Sequence, residues 1–255
     1  MPNVQSNGVR IHYEVAGDGP PLLLLHGLGA SGNLNWRLPG WVDELRSTHR
    51  LILVDHRGHG QSGKPHDAGG YSIPLMAGDA LAVLGAAGIQ RAAVMGYSMG
   101  SMVALELLLN SPDRFSAAVL GGMGSAWPRR GEVNRCPDEP ESDPAPGRPH
   151  WRPGRRLRLV GSFMRHYDPI AQRTIRRAVF RGRPPVDASR LGEIKVPVLV
   201  VAGSRDFLCG ASKDLAARIP NARHVTLSGR GHMGAVRDER FRACVKTFLA
   251  DVDRG

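Results

Sequence analysis

Cysteine is scarce in this chain, with three thiols in 255 residues, at positions 136, 209 and 244. They are odd in number, widely separated and show no metal-ligand spacing, which argues against both a disulfide framework and a thiolate metal site. Long apolar runs are also missing. No stretch approaches the roughly 18 apolar residues of a membrane-spanning helix, and Met1 to Gly17 lacks the basic start and apolar core of a signal peptide. A reducing cytoplasm is therefore the expected location. Aromatic residues make up only 5% of the chain, and none alternates with positive charge as a stacking platform does, so no nucleic-acid partner is expected despite the net charge of +11. The Gly-rich stretch Gly27 to Gly32 lacks the Lys-Ser/Thr ending of a phosphate-binding loop, and no metal or nucleotide cofactor is expected. No internal repeat is present.

Lysine is missing from one region in particular. Residues 123–190 hold 15 Arg and no Lys against 7 Asp and Glu, a net +8, while the rest of the chain carries +3. The basicity belongs to one inserted segment, and charge runs of this kind are usually solvated faces. Its first part, about 127–156, contains seven Pro and seven Arg and no hydrophobic period, which predicts an extended loop. Regularity returns with Leu157, Leu159, Val160, Phe163, Met164 and Tyr167, and with Ile170, Thr174 and Ala178, predicting two short helices over the core. The domain reading is a core of 1–122 and 191–255 interrupted by a cap at 123–190.

Outside that insertion, short apolar runs alternate with amphipathic ones. Val9, Ile11, Tyr13 and Val15 share one face of an early strand. Leu22 to Leu25, Leu51 to Val54, Ala92 to Met95, Ala117 to Leu120, Val196 to Ala202 and His224 to Leu227 read as strands buried on both faces. Helices are predicted at about 35–47, 74–88, 101–110, 213–219 and 239–252. The rhythm predicts an α/β fold with a mostly parallel sheet covered on both faces.

The most informative stretch is Gly96-Tyr97-Ser98-Met99-Gly100. A strand leads in and a helix leads out, so Ser98 stands at the apex of a tight turn that only small flanking residues permit. A serine hydroxyl is a poor nucleophile near neutral pH and needs a base, usually a histidine oriented by a carboxylate. Asp206 and His232 each follow a predicted strand, as Ser98 does, which delivers all three to one sheet edge. Ser98 could instead be a simple helix N-cap. His26, His56 and His59 compete with His232 for the role of base, although His26 is better placed to brace its own loop and the other two lie in a turn. Asp55 is expected to hold that turn together with Arg57. The cysteines are expected to be inert, since nothing local depresses a thiol pKa.

The motifs His26-Gly27-Leu28-Gly29, Asp55-x-Arg57-Gly58-x-Gly60-x-Ser62, Gly96-x-Ser98-x-Gly100, Gly203-x-x-Asp206 and Gly231-His232 resemble, in content and order, the α/β-hydrolase superfamily, and within it the small serine esterases and lactonases of bacteria. The resemblance implies an eight-stranded, mostly parallel sheet with a small inserted cap. It implies Ser98 as nucleophile, His232 as general base and Asp206 as orienting carboxylate, with the backbone N–H groups of Leu28 and Met99 as oxyanion donors. Leu28, Met99, Met123, Phe163, Met164, Tyr167 and Met233 are the expected substrate-lining residues. The implied activity is cofactor-free hydrolysis of a small-molecule carboxylic ester through an acyl-enzyme. The alternatives are a lactonase, a hydrolase of carbon–carbon bonds in aromatic breakdown products, or a non-catalytic binding protein on the same fold. Oligomeric state is not readable from the sequence.

Overall fold

The computed structural model describes residues 2–124, 166–180, 188–206 and 211–254. Eight strands, β1 (Asn3–Ser6), β2 (Val9–Ala16), β3 (Pro21–Leu25), β4 (Arg50–Val54), β5 (Ala92–Tyr97), β6 (Phe115–Gly121), β7 (Val198–Gly203) and β8 (Ala222–Leu227), form one sheet in the order β1-β2-β4-β3-β5-β6-β7-β8. β2 runs antiparallel to both of its neighbours and every other pairing is parallel. From β3 the chain moves outward to β4, then crosses back to lay β5 on the other side of β3. That reversal is a switch point in strand order, and open α/β sheets place their sites beyond the carboxyl ends of the strands at such a point, here β3 and β5.

The central strands are apolar throughout because both faces are covered. Leu23, Leu25, Ile52, Val54, Val94 and Leu120 point into one layer, with α2 (Ile73–Ala86), α3 (Met99–Asn110), α4 (Pro169–Phe180) and α5 (Ser212–Ala217). Leu22, Leu24, Leu51, Leu53, Met95 and Val119 point into the other, against α1 (Trp41–Leu45) and α7 (Glu239–Arg254), with the four-residue α6 (His232–Ala235) between β8 and α7. In this second layer Trp41 packs edge-on against Phe241, ring centroids 4.9 Å apart, and its indole N–H donates to the Val236 carbonyl at 2.8 Å.

Several sequence expectations need correction. β1, Asn-Val-Gln-Ser, has no apolar pattern and was not foreseen, since it is an edge strand defined by its pairing with β2. Val15 lies beyond the reach of β1 and is 40% exposed, unlike Ile11 and Tyr13. The helix expected over 35–47 is two pieces, a π-helical turn at Asn33–Arg37 and then α1. The chain breaks at Pro39-Gly40, where Gly40 takes φ 95°. The apolar stripe foreseen at 170, 174 and 178 is not the buried face of α4. Ala171, Gln172, Ile175 and Val179 are buried instead, and Ile170 is exposed.

Asp55 and Arg57 do not pair with each other. Asp55 accepts from the Gly32 and Gln61 N–H groups at 2.8 Å each, so it ties the loop after β3 to the loop after β4. Arg57 reaches Asp79 on α2 through two bonds of 2.7 Å, with both side chains essentially inaccessible to solvent, and donates to the Gly70 carbonyl. A buried ion pair offers little over an apolar replacement of both partners, but losing one partner strands a charge in the interior. Asp79→Ala should therefore lower stability by about 3–5 kcal/mol in urea denaturation, and a loss below about 1 kcal/mol would show that Arg57 finds another partner.

Candidate active site

Ser98 sits between β5 and α3 with φ 55° and ψ −117°; among the described residues only Asn7 and Ser98 are non-glycine residues with positive φ. Such backbone strain persists only where the surroundings fix it. Here the Ser98 N–H donates to the Gly121 carbonyl at 2.8 Å, and the Ser101 hydroxyl donates to the same oxygen at 2.8 Å. A Cβ on Gly96 would collide with the Gly100 backbone, and one on Gly100 with the carbonyl of Leu25. The two glycines let the turn close against the end of β3.

That contact brings the loop after β3 beside Ser98. A Cβ on Gly27 would lie 3.4 Å from the Ser98 Cβ. The N–H groups around Leu28 are committed within the protein: Gly27 to Asn35 Oδ1 (3.2 Å), Gly29 to His59 Nε2 (3.1 Å) and Ala30 to the Gly27 carbonyl (3.2 Å). Leu28 N–H finds no acceptor among the described residues, and Met99 N–H, at the first position of α3, has none within its helix. Two donors are thus left over beside the serine, and the positive end of α3 adds to the potential there.

Asp206 and His232 arrive from the next two strand ends. Backbone bonds from Ser204 N–H to the Leu227 carbonyl (3.0 Å) and from Arg205 N–H to the Arg230 carbonyl (2.9 Å) zip the two loops together. Asp238 steadies them. Burial pulls its carboxyl up in pKa, but bonds from Arg240 and Arg230 outweigh that and bring it to about 2. The Asp206 carboxylate, buried, accepts from His232 Nδ1 at 2.8 Å, which fixes the Nδ1–H tautomer and leaves the Nε2 lone pair able to take a proton. Ser98, Asp206 and His232 all lie at the carboxyl edge of the sheet, as the sequence order implied.

The three rival histidines are fully buried and committed to structure. His26 donates from Nδ1 to the Gly27 carbonyl (2.8 Å) and accepts at Nε2 from the His56 N–H (3.1 Å). His59 donates from Nδ1 to the Arg57 carbonyl (3.1 Å) and accepts from Gly29. Their rings stack edge-on, His26 being 4.7 Å from His56 and 5.0 Å from His59. Burial lowers the pKa of all three, and of His56 and His59 well below the usual histidine value. Neighbouring rings and Arg57 depress His56 further, while Asp55 partly offsets the effect at His26.

Of the expected lining residues, Leu28 is half-buried against the first core layer, and Met99 and Met123 are buried. Tyr167 is 43% and Met233 69% exposed, so the Met233 side chain stands mostly in solvent. Phe163 and Met164 lie outside the described residues, as do Cys136, Cys209 and the Pro/Arg-rich stretch. Cys244 is a free thiol whose pKa burial pushes up, in keeping with inertness. The sequence did not single out Gln172, whose Nε2 donates to the Gly58 carbonyl at 3.0 Å, or Asp168, which caps α4 through Ile170 and Ala171 N–H and holds His66 at 2.9 Å. Gln172 lies two positions from the nearest members of the expected stripe, and no local signal in the sequence marks it. Among the described residues no group of three or more His, Cys, Asp and Glu could hold a metal, and no helix is long and apolar enough to cross a membrane.

The α/β hydrolase fold family matches residues 20–132. A protein from Azorhizobium caulinodans, provisionally assigned as the carbamate hydrolase RutD, is 30% identical over 280 aligned positions that cover 100% of both chains. This chain belongs to the α/β-hydrolase superfamily. Similar solved members of the superfamily include an N-acyl homoserine lactone degrading enzyme (26% identity, TM-score 0.73, covering 97% of this chain and 100% of that one). An esterase from a Rhodococcus species is 25% identical, with TM-score 0.74 and 98% of each chain covered.

The buried ring cluster of this α/β-hydrolase has a consequence for acid stability. A histidine held neutral in the fold and free to protonate when unfolded stabilises fully above the unfolded pKa of about 6.5. That contribution falls as pH drops below that value toward the lowered folded pKa. Urea denaturation should show stability declining from pH 7.5 to 5, by up to about 1.4 kcal/mol per pH unit for each buried ring. His56→Leu should flatten the slope. An unchanged urea midpoint across that range would show that the rings protonate in place.

Proposed function

We propose that this α/β-hydrolase is a serine hydrolase that cleaves carboxylic esters through an acyl-enzyme on Ser98. The observation that carries the reading is the His232 Nδ1 to Asp206 Oδ2 bond of 2.8 Å at the same sheet edge as a serine in strained backbone. His232 Nε2 takes the Ser98 hydroxyl proton as Oγ attacks the carbonyl, and Asp206 stabilises the resulting imidazolium without being protonated itself. Negative charge on the carbonyl oxygen is met by the N–H groups of Leu28 and Met99, which are fixed before the charge develops. When the tetrahedral intermediate collapses, the acyl C–O bond breaks and the alcohol leaves with the proton from His232. Water, deprotonated by the same ring, then releases the acid and restores Ser98.

No step needs a cofactor. The cap at 123–190 governs substrate shape in this reading, and among the described residues α4 docks directly on the site loops. Gln172 and Ile175 both meet Gly58. The names of the similar proteins favour a second reading of the same machinery, in which the acyl group is a carbamate or the ester is a lactone ring. Either substrate undergoes the same attack on a carbonyl bonded to oxygen.

Ser98→Ala should lower turnover of a short-chain p-nitrophenyl ester by at least about a thousandfold while the protein remains folded, and a fluorophosphonate should label wild type at Ser98 alone. Equal turnover by the two proteins, or labelling elsewhere, would overturn the mechanism. Comparing kcat/KM across a simple ester, a lactone and an alkyl carbamate then separates the two readings.

A further inference from the structure

Tyr97 immediately precedes Ser98, and the mechanism above gives it no part. An aromatic residue at the end of a buried strand would ordinarily be core filler. Its ring is indeed buried, with Gly121 and Gly122 leaving room for it. A Cβ on Gly121 would lie 2.8 Å from its Cδ2, and one on Gly122 2.8 Å from its Cζ. Phe241 packs nearby, at a centroid distance of 6.3 Å. The hydroxyl, however, does something that filler does not. It donates to the backbone carbonyl of His232 at 2.5 Å, across 135 residues of sequence, while the ring lies 5.4 Å from the imidazole at a tilt of 43°.

We propose that Tyr97 is a positioning residue for His232, an inference that rests on the serine-hydrolase reading of the site. α6, which carries His232 at its first position, is four residues long and too short to hold its place by its own hydrogen bonds. Asp206 grips the imidazole at Nδ1 and Tyr97 grips the main chain of the same residue, and two holds fix both the location and the rotation of the ring. Because the Tyr97 bond goes to the carbonyl, it leaves Nε2 free for the proton. Tyr97 is bonded directly to Ser98, so one short segment places the nucleophile through its backbone and the base through its side chain.

The test compares Tyr97→Phe with Phe241→Leu, a control that loosens the same packing but keeps the hydroxyl. Y97F should remain folded and lose about 10- to 100-fold in kcat on a short-chain p-nitrophenyl ester, with KM changed by less than about threefold. Labelling of Ser98 by a fluorophosphonate should slow by a similar factor. F241L should melt earlier than wild type with its kcat retained. Wild-type kcat in Y97F, an equal kcat loss in F241L, or a Y97F protein that does not fold would each overturn the positioning role, the last by making the hydroxyl a folding contact. A wild-type protein that does not label at Ser98 would instead sink the serine mechanism, so the two failures are distinguishable.

Discussion

The start of α3 lies so close to the end of β3 that no side chain fits between them at residue 100, and a Cβ at residue 96 would strike the helix it precedes. Close approach of this kind is worth more here than a comfortable turn. It forces Ser98 into backbone that a serine rarely adopts, and the bonds converging on the Gly121 carbonyl hold it there. It also sets the distance between the first turn of α3 and the loop that carries Leu28, and so decides whether two backbone N–H groups can converge on one point. The strand reversal around β3 supplies the switch point, and the glycines supply the proximity.

Histidine serves two opposed purposes within this one sheet edge. His26, His56 and His59 are sealed from water; the ring nitrogens of His26 and His59 act as fixed donors and acceptors that shape the loops after β3 and β4, while the His56 ring packs edge-on against His26 and makes no hydrogen bond of its own among the described residues. His232 retains some access to solvent and has a carboxylate at its Nδ1. Burial and partner, rather than residue type, separate the sealed rings from the one proposed as the base.

Much of this was legible in the sequence because the signals are local. Short runs of four to seven residues gave six of the eight strands, alternation gave β2, and glycine spacing around Ser98 gave the turn. The chain order of Ser98, Asp206 and His232 put three side chains at one edge once a parallel sheet was inferred. What was missed depends on partners far away in sequence. β1 exists through its pairing with β2 and has no pattern of its own. Arg57 sits beside Asp55 in sequence yet pairs with Asp79, whose position on α2 no local rule supplies. The buried face of α4 was displaced by one residue because docking on Gly58, through Gln172 and Ile175, decided its rotation.

That docking bears on how such a protein can diversify. Gln172 and Ile175 press on Gly58, and His59, next in the chain, holds the Gly29 N–H beside Leu28. α4 is thus a buttress of the loop that carries Leu28. Replacing α4 would disturb the loop that carries Leu28 at the same stroke. Any change on this face, natural or engineered, therefore has to keep the contacts of Gln172 and Ile175 with Gly58 if the loop beside Ser98 is to hold its shape.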